Sequence, residues 1–163
     1  YLEAAFLIRI LNRVDDSGKK FRRATFYKIY LTNPSLRSAL FTPVSQMDDS
    51  FGNMVETAIM SQLFYKDGFK PYYARWSQGR SNGEVDLVFL DDFKLKPKIA
   101  IEIKWSNRYF SNPSELKSLL LFCKKNNLND ALITTIDKSG VTESSGLNLK
   151  FVPAALLAYS AGL

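Results

Sequence analysis

The chain contains no histidine and a single cysteine, Cys123, in 163 residues. The first absence excludes catalytic triads and zinc sites built on imidazole, and the second excludes an internal disulfide framework and a thiolate zinc site. Cys123 lies in a helical apolar pattern and reads as core, not as a nucleophile. No run approaches the roughly 18 apolar residues of a membrane span, and the basic, apolar and small-residue order of a signal peptide is missing. A cytoplasmic product without a membrane partner is expected. No Gly-x-x-x-x-Gly-Lys-Ser/Thr loop occurs, so ATP binding by this stretch is not expected. Chemistry therefore falls to carboxylates, lysine, serine or tyrosine. The start at Tyr1, without methionine and directly into an apolar run, reads as a piece of a longer protein.

With 46% hydrophobic and 23% charged residues, the composition fits one globular domain with a small appendage. The net charge of +6 is compatible with a phosphate-bearing partner, the plain alternative being a solvated basic face. Part of the excess is local. Lys19, Lys20, Arg22, Arg23 and Lys28 share one stretch, and Lys94, Lys96 and Lys98 another.

Residues 1–14 read as a helix passing into a strand, followed by a turn at Asp15-Asp16-Ser17-Gly18. Residues 21–31 have strand composition. Asn33 and Pro34 supply the N-cap and first position of a short helix, and residues 42–50 read as a loop. Phe51, Met54, Val55, Ala58, Ile59 and Leu63 recur at helical spacing, which predicts a helix over 51–67 closed by Gly68. Glu56 lies beside that stripe, where a surface acid is the simpler reading. Residues 72–77 are strand-like, and 78–83 read as a hairpin turn. Asn112-Pro113-Ser114-Glu115 has the layout of a capping box, and a helix with Leu116, Leu119, Leu120 and Cys123 as its buried stripe should follow. Strands over 131–136 and 147–152 and a short helix opened by Pro153 complete the chain. A mixed central sheet flanked by helices results.

Residues 83–104 hold the one cluster of charge inside strongly apolar, strand-like sequence: Gly83-Glu84-Val85-Asp86 leading into Leu87-Val88-Phe89-Leu90, a polar turn, then Ile99-Ala100-Ile101-Glu102-Ile103-Lys104. Alternation puts Ala100, Glu102 and Lys104 on one face, and Glu84, Asp86, Val88 and Leu90 on one face of the preceding strand. Pairing of the two strands brings Asp86 beside Glu102. Two close carboxylates repel, which raises a pKa or recruits a hard divalent cation, and a lysine beside such an ion can hold a water. Asp, a gap, then Glu-x-Lys suggests metal-assisted hydrolysis. The alternative is a surface Glu102–Lys104 pair on a half-exposed strand, with Asp86 merely ending the pairing.

The order helix with Glu56, strand with Asp86, strand with Glu102-x-Lys104, helix, strand resembles the restriction-endonuclease-like core of the PD-(D/E)xK nuclease superfamily. More narrowly, the chain resembles the C-terminal domain carried by a large group of prokaryotic AAA-type ATPases. There a helix with Gly-x-x-x-Glu, here Gly52 to Glu56, precedes Glu-Val-Asp, here Glu84 to Asp86, and an apolar strand with Glu-x-Lys, here Glu102 to Lys104. Tyr30-Leu31-Thr32-Asn33-Pro34 matches a strand-then-Pro element of the same group, although Asn33-Pro34-Ser35 replaces its usual Asp-Pro-Gly.

The resemblance implies an α/β nuclease-like core over 51–163, with 1–50 as an N-terminal α+β accessory segment and an N-terminal ATPase module upstream in the parent chain. It implies Mg²⁺ or Mn²⁺ held by Asp86 and Glu102, aided by the Ile103 carbonyl, with Glu56 as a further partner, Glu84 in support and Lys104 orienting the attacking water. The expected substrate is nucleic acid, DNA first, tracked by Arg75, Arg80, Lys94, Lys96 and Lys98. Trp76 and Trp105 are either base-stacking or buried. The same fold kept as a non-catalytic binding or self-association module is the rival reading.

Overall fold

A computed structural model describes residues 1–21, 26–66, 68–78 and 81–162. Its strands are β1 (Ile8–Val14), β2 (Tyr27–Leu31), β3 (Pro71–Gln78), β4 (Ser81–Leu90), β5 (Pro97–Glu102), β6 (Asp130–Thr135), β7 (Gly140–Ser144) and β8 (Leu147–Pro153). The helices are α1 (Pro34–Leu40), α2 (Phe51–Leu63), α3 (Arg108–Ser111), α4 (Lys117–Lys125) and α5 (Ala154–Gly162). One mixed sheet takes the strands in the order β2-β1-β3-β4-β5-β6-β8-β7. The described residues thus form an α/β fold with helices against the sheet.

The N-terminal segment is part of this sheet. β1 runs parallel to β3, with Asn12, Arg13 and Val14 opposite Tyr72, Tyr73 and Ala74, and β2 closes that edge antiparallel to β1. Residues 1–7 fold into hydrogen-bonded turns where a helix was expected. The Asp15 turn is as read. Its carboxylate accepts the Ser17 and Lys19 amides at 2.8 and 2.9 Å, and Gly18 takes φ +77°. Asn33 caps α1 by accepting the Ser35 amide at 2.9 Å, with Pro34 at the first position.

Two apolar clusters sandwich the sheet. Under α4, Leu119, Phe122 and Cys123 pack on Val85, Val88, Ala100, Ile133 and Phe151. Under α2 and α5, Ile59, Met60, Leu63, Ala154 and Ala161 pack on Leu87, Phe89, Ile101 and Ile103. At about 25 cal/mol per Å² these two interfaces supply the main drive for folding. Helix α2 ends at Leu63, short of the expected 67, and its buried residues include Met60 and Ser61.

Three local expectations are corrected. Val88 does not share a face with Asp86, because Tyr72 pairs with Val88 and Ala74 with Val85. Two residues of β4, Asp86 and Leu87, thus oppose Tyr73 alone, and the bulge reverses the alternation beyond it. Asn112 makes no side-chain cap. Pro113–Glu115 form a 3-10 turn, Arg108 engages the Glu115 carboxylate at 2.6 Å, and α4 starts only at Lys117. The unforeseen β7 pairs antiparallel with β8. The turn expected over 78–83 is also shorter, since β3 and β4 pair as far as Gln78 and Ser81, and Gly83 lies inside β4.

Candidate active site

The site forms where β5 runs out of backbone partners. Its antiparallel ladder with β4 ends at Leu87–Ile101, and its parallel ladder with β6 ends at Glu102–Ile133. Beyond those pairs, side chains replace the ladder. Asp86 Oδ2 accepts the Ile103 amide at 2.9 Å. Thr134 Oγ1 accepts the Lys104 amide at 2.7 Å and donates to the Lys104 carbonyl at 2.8 Å. The Ile103 amide and both backbone groups of Lys104 are thereby satisfied without a strand, as buried polar groups require. Glu102 and Lys104 are held at the sheet end with their heads free to meet Asp86.

Lys104 Nζ lies 2.7 Å from Glu102 Oε1 and 3.7 Å from Asp86 Oδ2. The second lysine is Lys28 of β2, which the sequence pattern did not bring to the site. Its Nζ lies 2.7 Å from Glu84 Oε1, 3.2 Å from Glu56 Oε1 and 3.6 Å from Asp86 Oδ1. Tyr30, two residues along the same strand, donates a hydrogen bond from its hydroxyl to Glu56 Oε1. Glu56 therefore points from α2 into the cluster and is not a surface acid. The Glu84 side chain is about one third exposed and marks the rim, where Arg75 Nε comes within 3.6 Å of its Oε2.

The electrostatics report a shortage of positive charge. Burial and then the Asp86 carboxylate push the Glu102 carboxyl up, against the opposing pull of Lys104, to about 7. Burial alone would lower Lys104 and Lys28. Glu102 and Asp86 raise the former, and Glu56, Asp86 and Glu84 raise the latter, so both stay ammonium. Burial, then Glu56, raises the Tyr30 hydroxyl, which remains a donor. Four carboxylates face two ammonium groups, with exposed Arg75 at the edge.

One acceptor is left over. Glu102 Oε2 is buried and has no hydrogen-bond partner among the described residues. A hard cation with oxygen ligands suits that orphan and the carboxylate donor set. Among the described residues, however, no three His, Cys, Asp or Glu side chains form a ready-made metal cage. Ammonium groups stand between the acids instead.

The remaining expected residues lie elsewhere or outside view. Lys94 and Lys96 occupy the β4–β5 turn, organised by Asp91, whose carboxylate accepts the Lys94 amide at 2.8 Å. Lys98 starts β5. From Asp86 to that end of β4 the strand advances about 13 Å, so these lysines do not join the acids. Arg80 lies outside the described residues, as do Arg22 and Arg23. Arg75 borders a cleft of about 480 Å³ that also takes in Arg13, Asn82 and Glu84. Trp76 is buried and stacks on Phe122, and Trp105 packs against Phe51, so both indoles serve packing.

Lys28, Tyr30 and Thr134 are the site residues that sequence reasoning missed. The alternation in Lys28-Ile29-Tyr30-Leu31 could have put Lys28 and Tyr30 on one face, but not beside Glu56. Compared with family models, curated proteins and solved structures, the chain matches none. Among the described residues no helix is long and apolar enough to cross a membrane.

Proposed function

We propose that the chain is a restriction-endonuclease-like module of the PD-(D/E)xK type, hydrolysing phosphodiester bonds of nucleic acid with a divalent metal ion, as the C-terminal part of an AAA-type ATPase. The observation that carries the reading is the buried, unpartnered Oε2 of Glu102, beside Asp86 and Lys104 at the end of a central strand. A mixed sheet with helices on both clusters, and an acid-bearing helix before the Asp86 strand, supports it.

In this reading Asp86 and Glu102 hold Mg²⁺ or Mn²⁺, with the Ile103 carbonyl and Glu56 as further oxygen donors. The ion, when bound, polarises the scissile phosphate and stabilises the leaving oxygen. Lys104 donates hydrogen bonds to the attacking water and to a phosphate oxygen. Water oxygen bonds to phosphorus as the bond to the leaving sugar oxygen breaks. One water proton ends on that oxygen and the other in solvent, leaving a hydroxyl and a phosphate monoester. Arg75 and Arg13 at the rim supply phosphate contacts, while Lys94, Lys96 and Lys98 reach only a long nucleic acid.

A non-catalytic binding or self-association module of the ATPase is the second reading, favoured by the ammonium groups that already neutralise much of the acid cluster. Plasmid cleavage in Mn²⁺ separates the two. The nuclease reading expects cutting by the wild type, lost in EDTA and lowered at least ~100-fold by Lys104→Ala. Equal background with both proteins favours the binding module.

A further inference from the structure

Lys28 sits where a cation belongs. Its ammonium is shared by carboxylates from two elements, Glu56 on α2 and Glu84 and Asp86 on β4, and its side chain is 24% exposed. The acids are fixed by a helix and a central strand, whereas the lysine head rides on a four-carbon stem that can swing towards solvent. Lys28 Nζ also lies over the Tyr73 ring, 5.4 Å from its centroid, which gives the head a defined resting place. Glu102 Oε2, which Lys28 does not contact, has no partner among the described residues. The cluster is thus filled on its Lys28 side and unsatisfied on its Glu102 side.

We infer that Lys28 is a built-in counter-ion that stands beside the cation position in the ion-free chain, on the Asp86 side, and is displaced when a divalent metal ion binds. The inference rests on the proposed metal site and adds a competitor to it. A metal–oxygen bond to Asp86 is about 2.1 Å long. Because Lys28 Nζ is 3.6 Å from Asp86 Oδ1, an ion on that oxygen would lie within about 6 Å of the ammonium. Two positive centres at that distance in a half-buried site repel, and the mobile one yields. N-terminal strand β2 thereby becomes the device that sets how much free metal the site needs.

The test is Mn²⁺ titration by calorimetry of the wild type, Lys28→Met and Arg75→Met, the last removing a rim charge without emptying the cluster. Lys28→Met should bind Mn²⁺ at least ~10-fold more tightly than the wild type, and Arg75→Met within ~3-fold of it. If the wild type binds and Lys28→Met binds no better, the counter-ion role is overturned and the metal site stands. Should only Lys28→Met bind, the role stands, and the metal-dependent reading fails for the wild type. If neither binds, both fall. A measurement on the wild type covers the case of a variant that does not fold: reductive methylation read by mass spectrometry. Lys28 should be methylated more slowly than Lys94 in EDTA and several-fold faster once Mn²⁺ is added. Where calorimetry shows Mn²⁺ bound to the wild type, a rate unmoved by the ion overturns the inference.

Discussion

Thr134 holds Lys104 by both of its backbone groups, accepting its amide at 2.7 Å and donating to its carbonyl at 2.8 Å. A side chain thus does what a third pair of the β5–β6 ladder would otherwise do. The arrangement lets Lys104 leave the sheet while its position stays defined, and Thr134 itself is fully buried.

Replacing Thr134 by valine keeps the shape and removes both bonds. Leaving a buried amide and carbonyl unpaired costs about 1–3 kcal/mol each when no water enters. Urea unfolding should therefore show Thr134→Val less stable by about 2–6 kcal/mol. A variant as stable as the wild type would mean that Lys104 is not pinned there.

Glu102 predicts a pH dependence of known sign. Its folded value is about 7 and its ordinary value 4.5. Between the two, the folded chain keeps a proton that the unfolded chain has lost, so the stability from this group is full below 4.5 and is lost as pH rises through 7. Glu102→Gln removes the titration. In EDTA, the melting temperature of the variant minus that of the wild type should grow by several degrees from about pH 5 to about pH 8. A flat or shrinking difference would show that the carboxyl is not raised.

Gly83 is required by a close approach. A Cβ there would stand 2.0 Å from Trp76 Cζ2, and Trp76 is buried against Phe122. Gly83→Ala should cost about 1–3 kcal/mol in urea unfolding. Combining it with Trp76→Phe, which shortens the ring, should recover part of that loss, whereas strictly additive costs would place the strain elsewhere.

Cys123 has no exposed surface, and burial, with a smaller contribution from Glu102, pushes its thiol up to about 12. At about pH 8 it is a protonated thiol in the core. Iodoacetamide should leave the native chain unmodified by mass while fully alkylating it in urea. Modification of the native chain at the unfolded rate would contradict its place under α4.

Asp86, Glu102 and Lys104 were legible because strand period and a single polar turn place them together, and Asn33-Pro34 announced α1 through local cap chemistry alone. Val88 was misplaced because a bulge opposite Tyr73 is a tertiary feature with no mark in the apolar pattern. β7 was missed since Gly140-Val-Thr-Glu-Ser offers a strand no buried apolar side and is held by its pairing with β8. Lys28 escaped for a different reason. Its arrival beside Glu84 depends on β1 crossing over to lie parallel to β3, a long-range pairing that local periodicity does not encode.

The central claim is that Asp86 and Glu102 bind a divalent cation. Calorimetric titration of Mn²⁺ into the wild type and Asp86→Ala tests it most directly. The account predicts saturable binding to the wild type below millimolar concentration and a loss of at least ~10-fold in affinity for Asp86→Ala. Absence of binding to the wild type at millimolar Mn²⁺, or equal binding to both proteins, would contradict it.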